Sequence, residues 1–322
     1  MIRLLIPCFN EASVIEQTYA KLTEIMQHDS NINNYKYELL FVDDGSKDCT
    51  LSMIQQMAMK DSAVKYISFS RNFGKESAMY AGLQASTEAE ATVILDGDLQ
   101  HPPTLIPKMI AHFRNDEDQV VAKRDRTGEH IARKTVSKLY YKLINRIVDV
   151  DLVDGVGDFR LLSQRAVKEI VNLGEYNRFS KGLFAWIGYE PKIIEYQNVE
   201  RVEGESKWSF SALLNYGIDG LISFNNKPLR AILYLGLLVC GISFIYILYN
   251  FIYTVTYGVA TPGYFTIIFA VLFLGGVQLT SLGVIGEYIG RIYYEVKHRP
   301  LYIVRQTNLQ ECEVSSYENV KY

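Results

Sequence analysis

The sequence predicts an α/β domain built on a mostly parallel, Rossmann-like sheet, followed by two transmembrane helices. Three observations carry that reading. Over the first hundred residues short apolar runs alternate with helix-length amphipathic stretches, and each of the four runs ends in a polar cluster. From Ala231 to Gly286 there is no Asp, Glu, Lys or Arg, 56 residues in a row. All 33 basic and 36 acidic residues therefore lie outside that stretch, which speaks against a purely soluble enzyme. The averages of 48% hydrophobic and 21% charged residues conceal this split.

Arg3–Pro7 (RLLIP) has the pattern of a buried strand, and Ser13-Val14-Ile15-Glu16 reads as a capping box opening a helix to about Gln27. Glu38–Val42 (ELLFV) is a second strand, ending in Asp43-Asp44-Gly45-Ser46, and a helix over roughly Cys49–Lys60 follows. Then come a strand at Val64–Phe69, a helix near Lys75–Ala85, and a strand at Thr92–Leu95 that runs into Asp96-Gly97-Asp98. In parallel sheets ligands bind outside the carboxyl ends of the strands. Pro7–Glu11, Asp43–Ser46, Arg71–Lys75 and Asp96–His101 all fall there. Each alone is compatible with a solvated turn, but four such clusters at four successive strand ends are expected to converge on one crevice.

The uncharged stretch divides into helices over about 231–253 and 265–287, each long enough for a hydrocarbon core of about 30 Å. Thr254–Tyr264 between them contains Gly258, Pro262 and Gly263, a turn composition, and Tyr249, Tyr253, Tyr257 and Tyr264 gather at that end as an interfacial belt. Two helices buried in a large globular core are the alternative. Lys227 and Arg230 precede the first helix, Arg291, Lys297 and Arg299 follow the second, and the loop has neither residue type. The positive-inside rule then puts the N-terminal domain and both termini on the cytoplasmic side of a multi-pass cell-membrane protein. The apolar run at the N-terminus is too short for a signal peptide and meets Glu11 at once. The expected organisation is a cytoplasmic domain over 1–208, an interfacial amphipathic helix over 209–230, the membrane helices within 231–290, and a cytoplasmic tail over 291–322. An ordinary core helix remains the alternative for 209–230. Arg133–Val148 is a candidate for a second interfacial helix, and 306–322 is expected to be mobile.

A net charge of −3 gives no support to nucleic-acid binding. The four cysteines are far apart and form no CxxC, so neither a disulfide framework nor a zinc site is suggested. No GxxxxGK[ST], GxGxxG, GxSxG or HExxH is present. His101, followed by two prolines, is read as shaping a turn and not as a base.

Asp96 and Asp98 lie two residues apart, so in an extended segment their side chains face the same way. With the Gln100 amide oxygen they form a hard donor set suited to Mg²⁺ or Mn²⁺, whose remaining ligands are typically waters and phosphates. Such an ion stabilises the negative charge that develops on a departing diphosphate. Arg124, Arg201 and Lys207 are cations that could serve the same oxygens, although a polar surface loop is the alternative for Arg201–Lys207.

The segments PCFNEA (Pro7–Ala12), VDDGSKDCT (Val42–Thr50), FSRNFGKESA (Phe69–Ala78), LDGDLQHPP (Leu95–Pro103), GDFRLLS (Gly157–Ser163) and RVEGESKW (Arg201–Trp208) together resemble the polyprenyl-phosphate glycosyltransferases, an inverting group with the GT-A nucleotide-sugar transferase fold. The likeness covers residues 1–230, and the two-helix tail is similar to the bacterial branch. It implies a donor site of Pro7, Phe9, Glu11, Val42 and Asp44 around base and ribose, with Gly97 in the same loop. It further implies a metal held by Asp96, Asp98 and Gln100, and a diphosphate clamp of Arg124, Arg201 and Lys207. Asp158 matches the position proposed as catalytic in relatives, and Arg133 one proposed to bind the acceptor phosphate. Phe9 stands where Tyr is commoner, which keeps the stacking face but loses the hydroxyl. Lys138 stands where many relatives have Arg.

The reaction so implied moves a hexose from a nucleotide sugar to undecaprenyl or another polyprenyl phosphate, giving a β-linked lipid-phosphate sugar for modification of a cell-surface or cell-wall glycan. Glucose or N-acetylglucosamine on UDP is the expected donor, with mannose on GDP as the alternative. Because the acceptor phosphate is already ionised at pH 7, Asp158 is expected to orient the acceptor or its counter-ions more than to remove a proton. The rival readings are a processive polysaccharide synthase, disfavoured by the absence of a QxxRW motif, and an inactive membrane scaffold. Homo-oligomers assembled through the membrane helices are compatible with the resemblance.

Overall fold

The computed structural model describes residues 1–125, 156–197, 227–257 and 263–310. Eight strands form one sheet in the order β7-β5-β6-β4-β1-β2-β3-β8. They are β1 (Ile2–Cys8), β2 (Tyr37–Asp43), β3 (Val64–Phe69), β4 (Ala91–Ile94), β5 (Gln119–Asp125), β6 (Val156–Ser163), β7 (Lys192–Gln197) and β8 (Val304–Thr307). The central block β4-β1-β2-β3 is parallel, and its order reverses direction between β1 and β4. That reversal is where a crevice opens at the carboxyl ends of such a sheet. β6 runs antiparallel to both β4 and β5, while β7 is parallel to β5.

The central strands are mostly apolar because both faces are covered. Ile2, Leu4, Ile6 and Cys8 of β1 face one core, packed with Leu39 and Phe41 of β2 and with residues of α1 (Ile15–Asn33), α2 (Thr50–Lys60) and α4 (Ile106–Phe113). Leu5, Leu40 and Val42 face the other, against α3 (Lys75–Ala85), α5 (Gln164–Asn172) and α6 (Ser180–Trp186). The approach of α3 to β1 is close: a Cβ on Gly82 would stand 1.9 Å from a methyl of Leu5.

Three local expectations are corrected. The first turn of α1 is not capped by Ser13. The helix starts at Ile15 with no side-chain cap, and the N–H groups of Val14 and Ile15 donate to the Glu11 carbonyl at 3.0 Å each. The preceding loop is drawn toward β2 instead, as described below. The helix also runs on to Asn33, six residues past Gln27, and closes with Asn34 in the left-handed region (φ +51°).

The segment after Leu301 is not a loose extension. β8 adds antiparallel to β3 at the sheet edge. Tyr302 stacks on Phe69 at 4.8 Å and its hydroxyl donates to Gln84 Oε1 at 2.7 Å, and Leu309 is buried. Asn308 donates to the Val64 carbonyl and accepts from the Tyr66 N–H. The expectation of a mobile tail from 306 is therefore wrong for Gln306–Leu309, whereas 311–322 lie outside the described residues.

Third, the long helices extend beyond their expected ends: α7 spans Lys227–Tyr257 (31 residues) and α8 Tyr264–Val296 (33 residues). Lys227–Arg230, expected to close an interfacial helix, already belong to α7. Leu237, Phe244, Ile245 and Val255 on α7, and Val271 and Leu279 on α8, are exposed. Side chains at several positions within both helices are not described, and among the described residues no helix is long and apolar enough to cross a membrane. Of the interfacial helix expected over 209–230, residues 209–226 lie outside the described residues, as does the helix expected over Arg133–Val148.

Candidate active site

The four strand-end clusters meet in one cavity of about 320 Å³, lined among others by Pro7, Phe9, Glu11, Asp44, Asp96, Gly97 and Asp98. The loops that build it are held by side-chain hydrogen bonds to backbone. Asn10, in the left-handed region (φ +54°), donates its N–H to Ser46 Oγ and accepts from Lys47 N–H, each at 2.9 Å. The Glu11 N–H donates to Thr50 Oγ1 at 2.9 Å, and the Ala12 N–H to Asp48 Oδ2 at 3.2 Å. Burial raises the Asp48 carboxyl, but its bonds from the Thr50 hydroxyl, Thr50 N–H and Ala12 N–H outweigh that and lower its pKa.

The two adjacent acids after β2 divide their work. Asp43, buried, accepts from the Ser68 hydroxyl at 2.8 Å and from the Ser46 N–H at 3.1 Å, tying β2 to β3. Asp44 accepts from the N–H groups of Phe73 (2.6 Å) and Gly74 (2.9 Å), which holds the loop after β3 against the cleft. Burial is the main influence on Asp44 and raises its pKa, against those two bonds. Gly45 between the loops sits at φ +66°, and a Cβ there would lie 2.4 Å from the Arg71 carbonyl carbon. Only glycine fits this crossing.

At the end of β4 the Gly97 carbonyl accepts from Thr18 Oγ1 at 2.7 Å, and Leu99 takes φ +55°. Gln100 donates to Asp98 from its backbone N–H at 3.1 Å and from its side-chain amide. As oriented, the amide nitrogen faces Asp98, so Gln100 supports that carboxylate; a half-turn of the amide is needed to present its oxygen. Asp96 and Asp98 supply hard carboxylate oxygens at the mouth of the cavity, and a cation, the Lys75 ammonium, already rests on Asp96 Oδ1 at 2.6 Å. The donor types fit a divalent ion. Among the described residues no group of three or more His, Cys, Asp or Glu is arranged to hold a metal.

Asp158 comes to the same place through β6. The last β4–β6 pair is Ile94 with Arg160; Asp96 lies two residues after Ile94 and Asp158 two residues before Arg160, at the same end of the pairing. Lys75 Nζ bridges them, 2.6 Å from Asp96 Oδ1 and 2.6 Å from Asp158 Oδ2. Burial alone would raise the Asp158 carboxyl, but Lys75 and then Lys181 outweigh it and hold its pKa at about 2. Burial likewise opposes the charge on Lys75, and Asp158 and Asp96 reverse that and raise it above an ordinary lysine. Arg160, buried beneath, donates to the Gly157 carbonyl at 2.8 Å and lies 3.7 Å from the Phe184 ring centre. Burial lowers it to about 10.

His101 does more than shape a turn. Its ring stacks on Phe159 at 5.2 Å, Nδ1 pairs with the Tyr196 hydroxyl at 2.8 Å, and Nε2 stands 3.9 Å from Asp96 Oδ2. It thereby joins the β4 loop to β6 and β7. Burial lowers its pKa against the pull of Asp96 and Asp98.

The remaining expected residues stand elsewhere. Val42 is fully buried in the core with α3, so its side chain does not line the cavity. Arg124 is on β5, paired in register with Tyr196 of β7, beside the His101 flank and outside the cavity lining. Arg133, Arg201 and Lys207 lie outside the described residues. Lys75 was missed as a site residue by the sequence reading. The signal for it was present: a lysine as the first residue of a helix opposes the helix dipole and calls for an acidic neighbour. Of the described cysteines, Cys8 is buried with a raised pKa, from burial and then Asp43, and Cys8 and Cys49 are both free.

Residues 4–171 match the model of Glycosyl transferase family 2, and residues 227–292 that of the GtrB C-terminal hairpin. The chain is 51% identical over 321 residues to CsbB of Bacillus subtilis (strain 168), assigned as a glycosyltransferase in its name; the alignment covers 100% of this chain and 96% of that one. It is 41% identical over 308 residues to the SfII prophage-derived bactoprenol glucosyl transferase of Shigella flexneri, covering 95% and 98% of the two chains. A solved mannosyltransferase of Pyrobaculum calidifontis, in complex with GDP-Man and Mn2+, is a more distant likeness: TM-score 0.47 and 16% identity over 70% of this chain and 65% of that one. The matched model spans more than half of the chain, on a sheet whose strand ends carry the site, and the alignments to both relatives run nearly end to end. The protein is a glycosyltransferase and belongs to glycosyl transferase family 2.

Proposed function

We propose that the protein transfers a hexose, glucose or N-acetylglucosamine, from a UDP-sugar to undecaprenyl phosphate or a related polyprenyl phosphate. The observation that carries this is the convergence of four strand-end loops on one acid-lined cavity, with Asp158 tied to it through Lys75. The bactoprenol glucosyl transferases at about 41% identity support the acceptor class, and the GtrB hairpin match supports the same branch.

Pro7, Phe9, Glu11 and Asp44 form the part of the cleft that takes the nucleoside, and Asp96 and Asp98 face its diphosphate. A divalent cation, Mg²⁺ or Mn²⁺, held by these two carboxylates would neutralise charge on the departing diphosphate. Arg124, Arg201 and Lys207 are the proposed cationic clamp, and Arg133 the contact to the acceptor phosphate. An oxygen of the lipid phosphate forms the new bond to the anomeric carbon. The carbon–oxygen bond to the diphosphate breaks on the opposite side, and the nucleoside diphosphate leaves with the electron pair. No proton has to be removed from the nucleophile. Asp158, held ionised by Lys75, is therefore assigned to positioning and not to general-base work.

The polyprenyl chain requires a bilayer next to the cleft. α7 and α8 are proposed to cross it within 231–290 as a hairpin, with the catalytic domain and both termini cytoplasmic. The uncharged run Ala231–Gly286, the flanking Lys and Arg, and the exposed apolar side chains of both helices support this. Inversion is the direct chemical test: the lipid product made from an α-linked UDP-sugar should show a β-anomeric proton coupling by NMR. An α-linked product would overturn the single-displacement scheme.

A further inference from the structure

Lys75 opens α3 with its ammonium between two carboxylates, Asp96 and Asp158, at 2.6 Å from each. A positive charge at a helix N-terminus is disfavoured by the dipole, so these two contacts are what hold it there. Although 44% of the side chain remains accessible, the ammonium itself is packed among protein atoms. Asp96 has a second claim on it, because with Asp98 it forms the hard-oxygen pair assigned above to a divalent ion. One carboxylate oxygen at contact distance from an ammonium is a poor ligand for a divalent cation, and two cations a few ångströms apart in a partly enclosed cleft repel. Other charged and titratable groups bearing on this point are Asp98, Lys181, Arg160, Glu76 and the ring of His101.

We propose that Lys75 is a built-in counter-ion of the donor site: it occupies the cation position on Asp96 while the cleft is empty, and a divalent ion must displace it from Asp96, leaving it on Asp158. The inference rests on Asp96 and Asp98 being the cation-holding pair. It gives the empty site a device against loading metal alone. The diphosphate of a nucleotide sugar brings the negative charge that tips the competition, so metal and donor are retained together. Lys75 is a positioning residue in this scheme, since it also keeps the start of β6 against the end of β4.

The test is titration of the full-length chain in detergent with Mn²⁺ alone, without nucleotide sugar, following free Mn²⁺ by its electron paramagnetic resonance signal. Lys75→Met should bind Mn²⁺ about tenfold or more tightly than the wild type, as expected for removing a like charge from the site. Lys75→Arg, which keeps the charge, should stay within about twofold of the wild type. A purely structural lysine predicts the opposite, since losing it would loosen the carboxylates and leave Mn²⁺ binding unchanged or weaker; that result overturns the proposal. If circular dichroism shows Lys75→Met unfolded, Lys75→Gln is measured in its place with the same expectation. Asp98→Ala separates the two levels of inference. Loss of Mn²⁺ binding in both the wild-type and Lys75→Met backgrounds puts the ion on the acidic pair. Binding that survives Asp98→Ala overturns the acidic-pair reading and this inference with it.

Discussion

Asp96 and Asp158 face each other across the antiparallel junction of β4 and β6 and share one ammonium, that of Lys75. In the proposed scheme Asp96 faces the donor and Asp158 the acceptor, so this junction would couple the two halves of the reaction. If Asp158 positions the acceptor, Asp158→Asn should lower kcat/KM by about 10²-fold through lost electrostatic preorganisation. The deficit should be flat from pH 6.5 to 9. A deficit that shrinks steeply with rising pH would show hydroxide replacing a missing base, and would contradict the assignment.

Gly45 is the crossing point of the loops after β2 and β3. Gly45→Ala must pay for a left-handed backbone, about 1–2 kcal/mol, and also push back the Arg71 backbone that its Cβ would meet at 2.4 Å. A stability loss of about 2–4 kcal/mol is expected, and nucleotide-sugar affinity should fall with it because Asp44 would lose its hold on Phe73 and Gly74. Thermal unfolding and donor titration of the same variant check both; a fully stable variant with normal affinity would refute the role given to this turn.

Tyr302 pins β8 to the sheet. Tyr302→Ala should cost about 3 kcal/mol, as for other buried aromatics, and Tyr302→Phe, which loses only the bond to Gln84, about 1 kcal/mol. Denaturation in detergent distinguishes the two. Equal, negligible effects would mean that the strand is dispensable.

His101 contributes a pH dependence of known sign. Its folded pKa lies below the ordinary value of 6.5, so below pH 6.5 the unfolded chain binds more protons than the folded one and stability decreases as the pH is lowered. The contribution is fully present above 6.5 and is lost as pH drops toward the lowered value. Between pH 7 and 5 the melting temperature of the wild type should fall more steeply than that of His101→Gln. Parallel profiles would remove His101 from the account.

The central strands and helices were legible because each carries its own signal. Val64–Phe69 and Lys75–Ala85 have the bounds that their apolar patterns predict, and β1, β2 and β4 agree to within one or two residues at either end. What was hidden depends on distant pairing. β8 has a single apolar residue, Val304, and its register is held by the Asn308 side chain and by Tyr302 rather than by alternation. The Asp158 position was reached by resemblance, because nothing within GDFRLLS says that this strand runs antiparallel to β4 and begins where β4 ends. Lys75 could be named as one of a cluster, but its bridge between two acids exists only once that antiparallel neighbour is in place. The capping box failed for a related reason: Ser46, Asp48 and Thr50 claim the backbone of Asn10–Ala12 and set the entry into α1 from outside the helix.

The central claim is tested most directly by transfer from a panel of labelled nucleotide sugars to undecaprenyl phosphate in membranes, with Mg²⁺, Mn²⁺ and EDTA arms and an Asp98→Ala control. The account predicts that a UDP-hexose, glucose or N-acetylglucosamine, reaches the lipid, only with metal present and Asp98 intact. Donor binding without transfer of any sugar to the lipid phosphate would contradict it.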